Sequence, residues 1–475
     1  MSSAAARRDA PRLPFERAAA LALEDEQTRA NVHRATTTIR ARRAAVVGET
    51  PDWAELRAAG AAIRERAVLR LDELLVQLEA AVTAAGGVVH WARDATEANA
   101  AVAHVVERTG SREVVKVKSL TTDELGLNDA LLARGIEPIE TDLAERIVQL
   151  AGERPSHLLV PSLHRGRPEI AELLREALDE PGLADDPESL LAAARRHLRE
   201  AFLRARVAVS GANFAVAETG TVGVVESEGN GRMCTTLPET LVTVMGVEKV
   251  VEEWRDLGVL MQLLPRSATG ERMNPYTSLW TGVAATDGPS SFHLVLVDAG
   301  RTRALADPEG RPALRCIRCS ACVNVCPVYR QTGGHAYDTV YAGPIGAILQ
   351  PQLSGERGTS ASLPYASTLC GACADVCPVG IDIPGILVHE RAKVVRMSRP
   401  GLDGRALRAL GRAFSSRERY ERAQRTARAL QRPLVKDGRL RWLPGPLAGW
   451  GRSRTLPGVA PQTFREWWEE RERGA

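Results

Sequence analysis

Seven cysteines fall within 62 residues, and their spacing constrains this chain more than any other feature of it. The first run, Cys316-Ile-Arg-Cys319-Ser-Ala-Cys322-Val-Asn-Val-Cys326-Pro327, has the form C-x2-C-x2-C-x3-C-P. Each iron of a four-iron cube already carries three bridging sulfides and needs one more soft donor, so closely spaced thiolates can wrap one cube. The fourth cysteine points away and serves the other cluster of a pair. Proline after it stops the chain from continuing as a helix.

The second run, Ser367-Thr-Leu-Cys370-Gly-Ala-Cys373-Ala-Asp-Val-Cys377-Pro378, keeps the register but has Ser367 at the first cysteine position. Exchange of the fourth ligands assigns Cys316, Cys319, Cys322 and Cys377 to one cluster, and Cys326, Cys370 and Cys373 to the other. The second cluster has three thiolates. Three arrangements remain open: a four-iron cube with Ser367, water or another donor on the last iron; a three-iron cluster; or a ligand from a partner subunit. Zinc ribbons use pairs of C-x2-C rather than two runs of this form. The 43 residues between Cys326 and Cys370 exceed the repeat of a small ferredoxin, and PIGAILQPQL within them reads as helix, which points to the larger helical kind of two-cluster module.

Clustering of this kind favours ligation over disulfides, and the chain is expected in a reducing cytoplasm. No run of about 18 apolar residues is present to span a bilayer, and the Arg7-Arg8 pair has no apolar stretch behind it. At 475 residues several cores are expected. Residues 1–85 read as a helical lead-in. Residues 86–300 alternate strand-like and helical text, the rhythm of a layered α/β domain. Within them, VAVSGANFAVAETGTVGVVESEGNGR suggests paired strands between glycine turns. The piece from Arg301 to Pro312 reads as a linker, residues 301–398 as a mainly helical two-cluster ferredoxin domain, and residues 399–475 as a basic helical region. The formal charge is only +3, yet residues 401–475 hold 17 Lys+Arg against 8 Asp+Glu. A solvated helix face from Arg405 to Arg432 is the plain reading, with peripheral contact to a membrane surface or an acidic partner as the other. Nucleic acid is not expected as a partner. Trp467 and Trp468 read as a packed anchor.

Nucleotide and zinc-protease signatures are missing: no G-x-G-x-x-G follows a strand, and there is no G-x-x-x-x-G-K-[ST], H-E-x-x-H or G-x-S-x-G. The polar groups beside glycine turns are Glu140-Thr141-Asp142, Glu218-Thr219-Gly220 and Glu228-Gly229-Asn230-Gly231. A ligand pocket at strand ends and ordinary turn capping both account for them. His335 reads as a loop hydrogen-bonder, and Cys234 as a lone core thiol without a ligand role.

Several segments match a known family: Val117-Lys118-Ser119, Glu140-Thr141-Asp142-Leu143, Pro155-Ser156-His157, Gly211-Ala212-Asn213-Phe214, Ala217-Glu218-Thr219-Gly220, Glu228-Gly229-Asn230-Gly231-Arg232, both cysteine runs, GGHAYDTVYAGPIGAIL and the terminal Trp pair. On these the chain resembles lactate utilization protein B, the iron–sulfur subunit of a three-protein L-lactate oxidation system. Ala144 and Leu120 depart mildly from the family pattern. The resemblance implies a lactate-utilization domain similar to sugar-phosphate isomerases and CoA transferases. It further implies two [4Fe-4S] clusters on the ligands assigned above, with serine at 367 as the family's own pattern, and the A and C proteins of the same system as partners. The expected role is electron transfer during L-lactate oxidation to pyruvate. A 2-hydroxy-acid oxidoreductase with its own site in the α/β domain, and a redox-sensing protein, are the alternatives.

Overall fold

Apolar runs such as Thr240–Gly246 and Ser291–Val297 cannot show a polar face to water, so both faces of the strands they form must be covered. In the computed structural model, which describes residues 12–355, 357–398, 401–440 and 454–474, they become central strands of a six-stranded parallel sheet. The strands are β1 (Val88–Ala92), β2 (Glu113–Lys116), β3 (Glu137–Glu140), β4 (Val207–Ser210), β7 (Thr240–Gly246) and β10 (Ser291–Val297), in the order β1-β10-β7-β4-β2-β3. A second sheet, in the order β8-β5-β6-β9, holds β5 (Phe214–Val216), β6 (Thr221–Glu226), β8 (Val250–Val251) and β9 (Tyr276–Thr281). The stretch read as paired strands is therefore divided. β5 and β6 pair antiparallel, whereas β4 joins the parallel sheet between β7 and β2.

Topology creates a crevice. From β2 the chain moves outward to β3, then returns to β4 and proceeds the other way through β7 and β10. The connections above β2 and β4 thus diverge, and the carboxyl ends of those strands are where open parallel sheets take their ligands.

Among the described residues the lead-in forms four helices, Phe15–Ala22, Glu26–Gly48, Trp53–Leu69 and Leu71–Ala84. In the last of them Leu71, Leu74, Leu75, Leu78 and Val82 recur at helical spacing and pack on Leu294, Leu296 and Met245 of the sheet. Burial of each such side chain stabilises by about 1.5–3 kcal/mol. Val32 and Ile63 of the second and third helices instead join the core around the cysteines. Residues 1–394 make one compact unit, in which lead-in, sheet and cysteine region share their packing.

The segment from Arg301 to Pro312, read from sequence as a linker, begins with a fully buried residue. Arg301, in the helix Arg301–Leu305, pairs with Glu248 and forks onto Glu124 at 2.9 and 2.8 Å. Glu248 also accepts from Arg318 Nη2 at 3.0 Å, and Arg318 lies 4.7 Å over the Tyr341 ring. Burial alone would raise the Glu248 pKa, but Arg301, Arg318 and Lys249 outweigh it and hold the carboxylate at about 2. Arg64, also buried, donates to the carbonyls of Glu248, Val250, Leu314 and Arg315. These residues tie a lead-in helix, the end of β7 and the start of the cysteine region together. Gly246 is required there, since a Cβ would collide with Glu248 and Arg301.

Residues 395–475 form the second unit. Its basic text is two helices, Leu402–Phe414 and Arg417–Gln431, rather than one. Ser416 breaks the run and caps the second helix by accepting from the Arg419 N–H. Beyond them lie β11 (Val435–Lys436), β12 (Arg439–Leu440), β13 (Leu456–Pro457) and the helix Phe464–Gly474. Trp467 and Trp468 are exposed, clustering with Phe464 at 5.6 and 5.9 Å between ring centres rather than anchoring in a core. The Arg7-Arg8 pair and part of the Pro/Gly-rich stretch before Pro461 lie outside the described residues.

Replacing Arg301 with Met leaves buried carboxylates short of a partner, and removal of one member of such a group costs about 3–5 kcal/mol. Denaturant unfolding of the two proteins side by side measures this; a difference under about 1 kcal/mol would show that the buried ion network does not anchor the unit.

Candidate functional site

Each cysteine loop is short and folds on itself. Arg318 and Ser320 take positive φ angles of 60° and 61° between the ligand positions, as does Leu369 at 55° in the second run. These reversals fold the backbone back between the cysteine positions. Six of the seven cysteines are buried, and Cys370 is exposed.

Electrostatic neighbours sort the thiols into two groups. Burial pushes the Cys319 and Cys322 pKa values up, and then Cys316 and Cys377 add to the shift at both. At Cys373 burial comes first and Cys326 and Cys370 follow, giving a value of about 12. Cys326 likewise feels Cys370. Cys316, Cys319, Cys322 and Cys377 are thus neighbours of one another, as are Cys326, Cys370 and Cys373. Cys322 also senses Cys373, so the two groups adjoin. A buried nest of thiols that repel one another's ionisation suits a cationic core that supplies the missing positive charge.

A single zinc ion is a poor fit. Four thiolates around zinc stand about 3.8 Å apart, from Zn–S bonds of about 2.3 Å. Among the described residues the one trio of His, Cys, Asp or Glu ligand atoms within 4.8 Å of one another is Asp307, His389 and Glu390, not a cysteine set. The wider cysteine spacing leaves room for a multi-iron core, and the thiolate donors have the softness such a core needs.

Protein groups brace both runs. Backbone N–H groups of Arg318, Tyr329 and Ile381 donate to the sulfurs of Cys316, Cys326 and Cys377 at 3.4, 3.5 and 3.4 Å. Arg57 donates to the Cys377 carbonyl at 3.0 Å, and Arg43 to the Val376 carbonyl at 3.0 Å. Neither arginine belongs to any motif; each reaches the cysteines from a helix some 300 positions earlier.

Ser367 is half-buried, and its Oγ accepts the Leu369 N–H at 3.1 Å, the bond of a serine that closes a turn. His335 donates from Nε2 to the Arg154 carbonyl at 2.8 Å, as expected of a loop residue. Cys234 lies in the sheet core 3.6 Å from Thr141 Oγ1, its pKa pushed by burial to about 12.

A cavity of about 210 Å³ opens at the crevice above β2 and β4. Lys118 and Ser119 follow β2, Asp142 follows β3, Asn213 follows β4 and Lys249 follows β7, while Arg318 enters from the first cysteine run. Glu226 and Glu228 complete the polar wall. Gly211 is needed at its floor, where a Cβ would press on Ser119 at 2.5 and 2.7 Å. The structure thus gathers Asp142, Glu228 and Asn230 into one pocket. It separates Glu218, which accepts the Trp254 N–H, and Glu140, whose carboxylate meets the buried Lys116 ammonium at 2.7 Å. Lys249 and Arg318 were invisible as pocket residues in the sequence, because only the docking of the cysteine region on β7 brings them together.

His157 connects this end of the sheet to the cysteines. Its Nδ1 accepts the N–H groups of Leu159 and Val160 at 3.0 and 3.1 Å, and Nε2 donates to Asn324 Oδ1 at 3.2 Å. Burial pushes its pKa down to about 4, and protonation would cost both accepted bonds.

The LUD domain model matches residues 75–297, and the 4Fe-4S dicluster domain model matches residues 312–381. The chain is 42% identical to lactate utilization protein B of Oceanobacillus iheyensis over 433 residues, covering 90% of each. To lactate utilization protein B of Bacillus subtilis it is 39% identical over 464 residues, 96% of each. A crystal structure of a DUF162 family protein from Deinococcus radiodurans is similar over 48% of this chain and 98% of that one, at 16% identity and a TM-score of 0.28.

Two outcomes follow. Ser367→Ala leaves the iron content of the second cluster unchanged by elemental analysis; loss of about one iron per chain would make the Ser367 oxygen a ligand. As pH falls, the unfolded chain takes up a proton near 6.5 that folded His157 refuses until about 4. Stability is therefore complete above about pH 6.5 and drops by about 3 kcal/mol toward pH 4. His157→Gln should show a shallower fall in denaturant midpoint over that range, and an identical slope would remove His157 as the cause.

Proposed function

The chain belongs to the lactate utilization protein B family, and from that premise we propose that it is the iron–sulfur electron-transfer subunit of L-lactate oxidation to pyruvate. The observation that carries this reading is the arrangement of the thiols. One set is buried beside the strand-end pocket through Arg318, and the adjoining set reaches the surface at Cys370. Electrons have an inner and an outer station.

Cys316, Cys319, Cys322 and Cys377 would hold the first cluster, and Cys326, Cys370 and Cys373 the second. When bound, the clusters supply one-electron storage, and two of them match the two electrons released as a 2-hydroxy acid becomes a 2-oxo acid. This chain's own residues set the conditions for that storage. N–H donors from Arg318, Tyr329 and Ile381 favour added negative charge on the sulfurs, and burial of the first set excludes water. Arg43 and Arg57 keep the second run in place against the lead-in helices.

The exposed edge at Thr368, Leu369 and Cys370 is where an acceptor or a companion subunit would approach, and the A and C proteins of the same system are the proposed partners. Among the described residues no helix is long and apolar enough to cross a membrane. We place the protein in the cytoplasm. The arginine-rich helices with the exposed Phe464, Trp467 and Trp468 support peripheral contact at the inner face of the membrane.

Anaerobically purified protein should carry about eight irons and give signals of two interacting reduced cubes by electron paramagnetic resonance. Cys319→Ala should remove the first cluster and Cys373→Ala the second, each leaving about half of the iron. Full iron in Cys319→Ala would refute the ligand assignment. About seven irons, with a three-iron signal when oxidised, would make the second cluster a three-iron one.

A further inference from the structure

The pocket above β2 and β4 has an uneven balance of satisfied charge. Its carboxylates are largely occupied: Asp142 Oδ1 accepts the Glu145 N–H at 3.0 Å, and the two oxygens of Glu226 accept the Gly229 and Arg232 N–H groups at 2.9 Å each. Its deepest cations are less fully matched. Arg318 is buried, and while Nη2 meets Glu248, Nη1 has no hydrogen-bond partner. Lys249 is buried and forms no salt bridge among the described residues, because Glu248 turns its carboxylate to Arg301 and Arg318. Burial, with Arg318 alongside, pulls the Lys249 pKa down to about 7, so an anion that reaches the ammonium would keep it charged.

Neutral donors line the same pocket. Asn213 Oδ1 accepts the Val225 N–H at 2.9 Å, which leaves its NH2 group for another partner. Ser119 Oγ accepts the Thr122 N–H at 3.3 Å and keeps its own proton to donate. The volume of about 210 Å³ falls below the roughly 300–1,000 Å³ typical of drug-sized ligands, so a dinucleotide would not fit. Asp142, Glu226 and Glu228 on the opposite wall would repel a polyanion.

We infer that this pocket binds a small 2-hydroxy or 2-oxo carboxylate, its carboxylate between Lys249 and Arg318 and its C2 oxygen toward Asn213 and Ser119. The inference rests on the electron-transfer reading above and gives it a location, since Arg318 also donates its backbone N–H to Cys316. Occupancy is thereby coupled to the first cluster. An anion beside Arg318 opposes addition of an electron, so the midpoint potential of that cluster falls on binding, and by linkage the reduced protein holds the acid more weakly.

The test is calorimetric titration of the anaerobically prepared, cluster-loaded full chain with L-lactate, pyruvate, acetate and inorganic phosphate, paired with a spectroscopic redox titration of the first cluster. L-Lactate or pyruvate should bind saturably, with acetate and phosphate at least about tenfold weaker, a gap of about 1.4 kcal/mol. Lys249→Gln should weaken binding by a similar factor at unchanged iron content, and Asn213→Ala should bring L-lactate to the level of acetate. The first cluster's potential should move negative with L-lactate present. No heat from any acid at full iron content would overturn the pocket and leave the electron-transfer reading standing. Phosphate binding as tight as L-lactate, or insensitivity to Lys249→Gln, would overturn it as well. Acid binding in a chain that never takes up iron would support the pocket and sink the electron-transfer reading instead.

Discussion

A buried carboxylate holds this molecule together. Glu248, at the end of β7, sits between Arg301 and Arg318, while its carbonyl is held by Arg64. Each arginine comes from a different part of the chain: a lead-in helix, the segment after the parallel sheet, and the first cysteine run. A carboxylate removed from water is tolerated only with such partners, so the three segments are not independently placed. Tyr341 and Glu124 extend the network, and Gly246 makes the space for it. A segment that composition marks as a linker is therefore an anchored joint.

That joint decides where the cysteines lie. The cysteine region docks on the carboxyl ends of the parallel strands, the side on which connections diverge and a ligand crevice forms. Arg318 belongs to both neighbourhoods, with its backbone N–H on Cys316 and a place in the lining of the cavity. The proposed electron storage and the proposed small-molecule pocket thus meet at a residue between two cysteines of the first run. The second run, braced by Arg43 and Arg57, carries Cys370 to the surface, so the two thiol groups differ in their access to solvent and to partners.

Local text carried much of the architecture because local physics wrote it. The spacing of Leu71, Leu74, Leu75, Leu78 and Val82 is helical whatever they pack against, and Ser291–Val297 is too apolar to lie anywhere but inside. Cysteine spacing is legible for the same reason: a cube imposes short loops, and short loops leave a motif. Where the reading fell short, the deciding partner was distant. β4 and β5 are separated by three residues, yet join different sheets, because β4 pairs with the distant β2 and β7 while β5 pairs with β6 and β8. Trp467 and Trp468 look like core residues by type, but the helix that bears them has no buried position.

The sequence by itself determined that two cysteine runs would form an iron–sulfur region and that an α/β layer would precede it, since thiolate spacing and hydrophobic period act over a few residues. Tertiary structure alone decided the pocket and its relation to the first cysteine group. Lys118, Asp142, Asn213, Lys249 and Arg318 span 201 positions and carry no shared motif. They meet because parallel strands deliver their carboxyl ends to one edge, and because a buried ion network fixes the cysteine region against that edge.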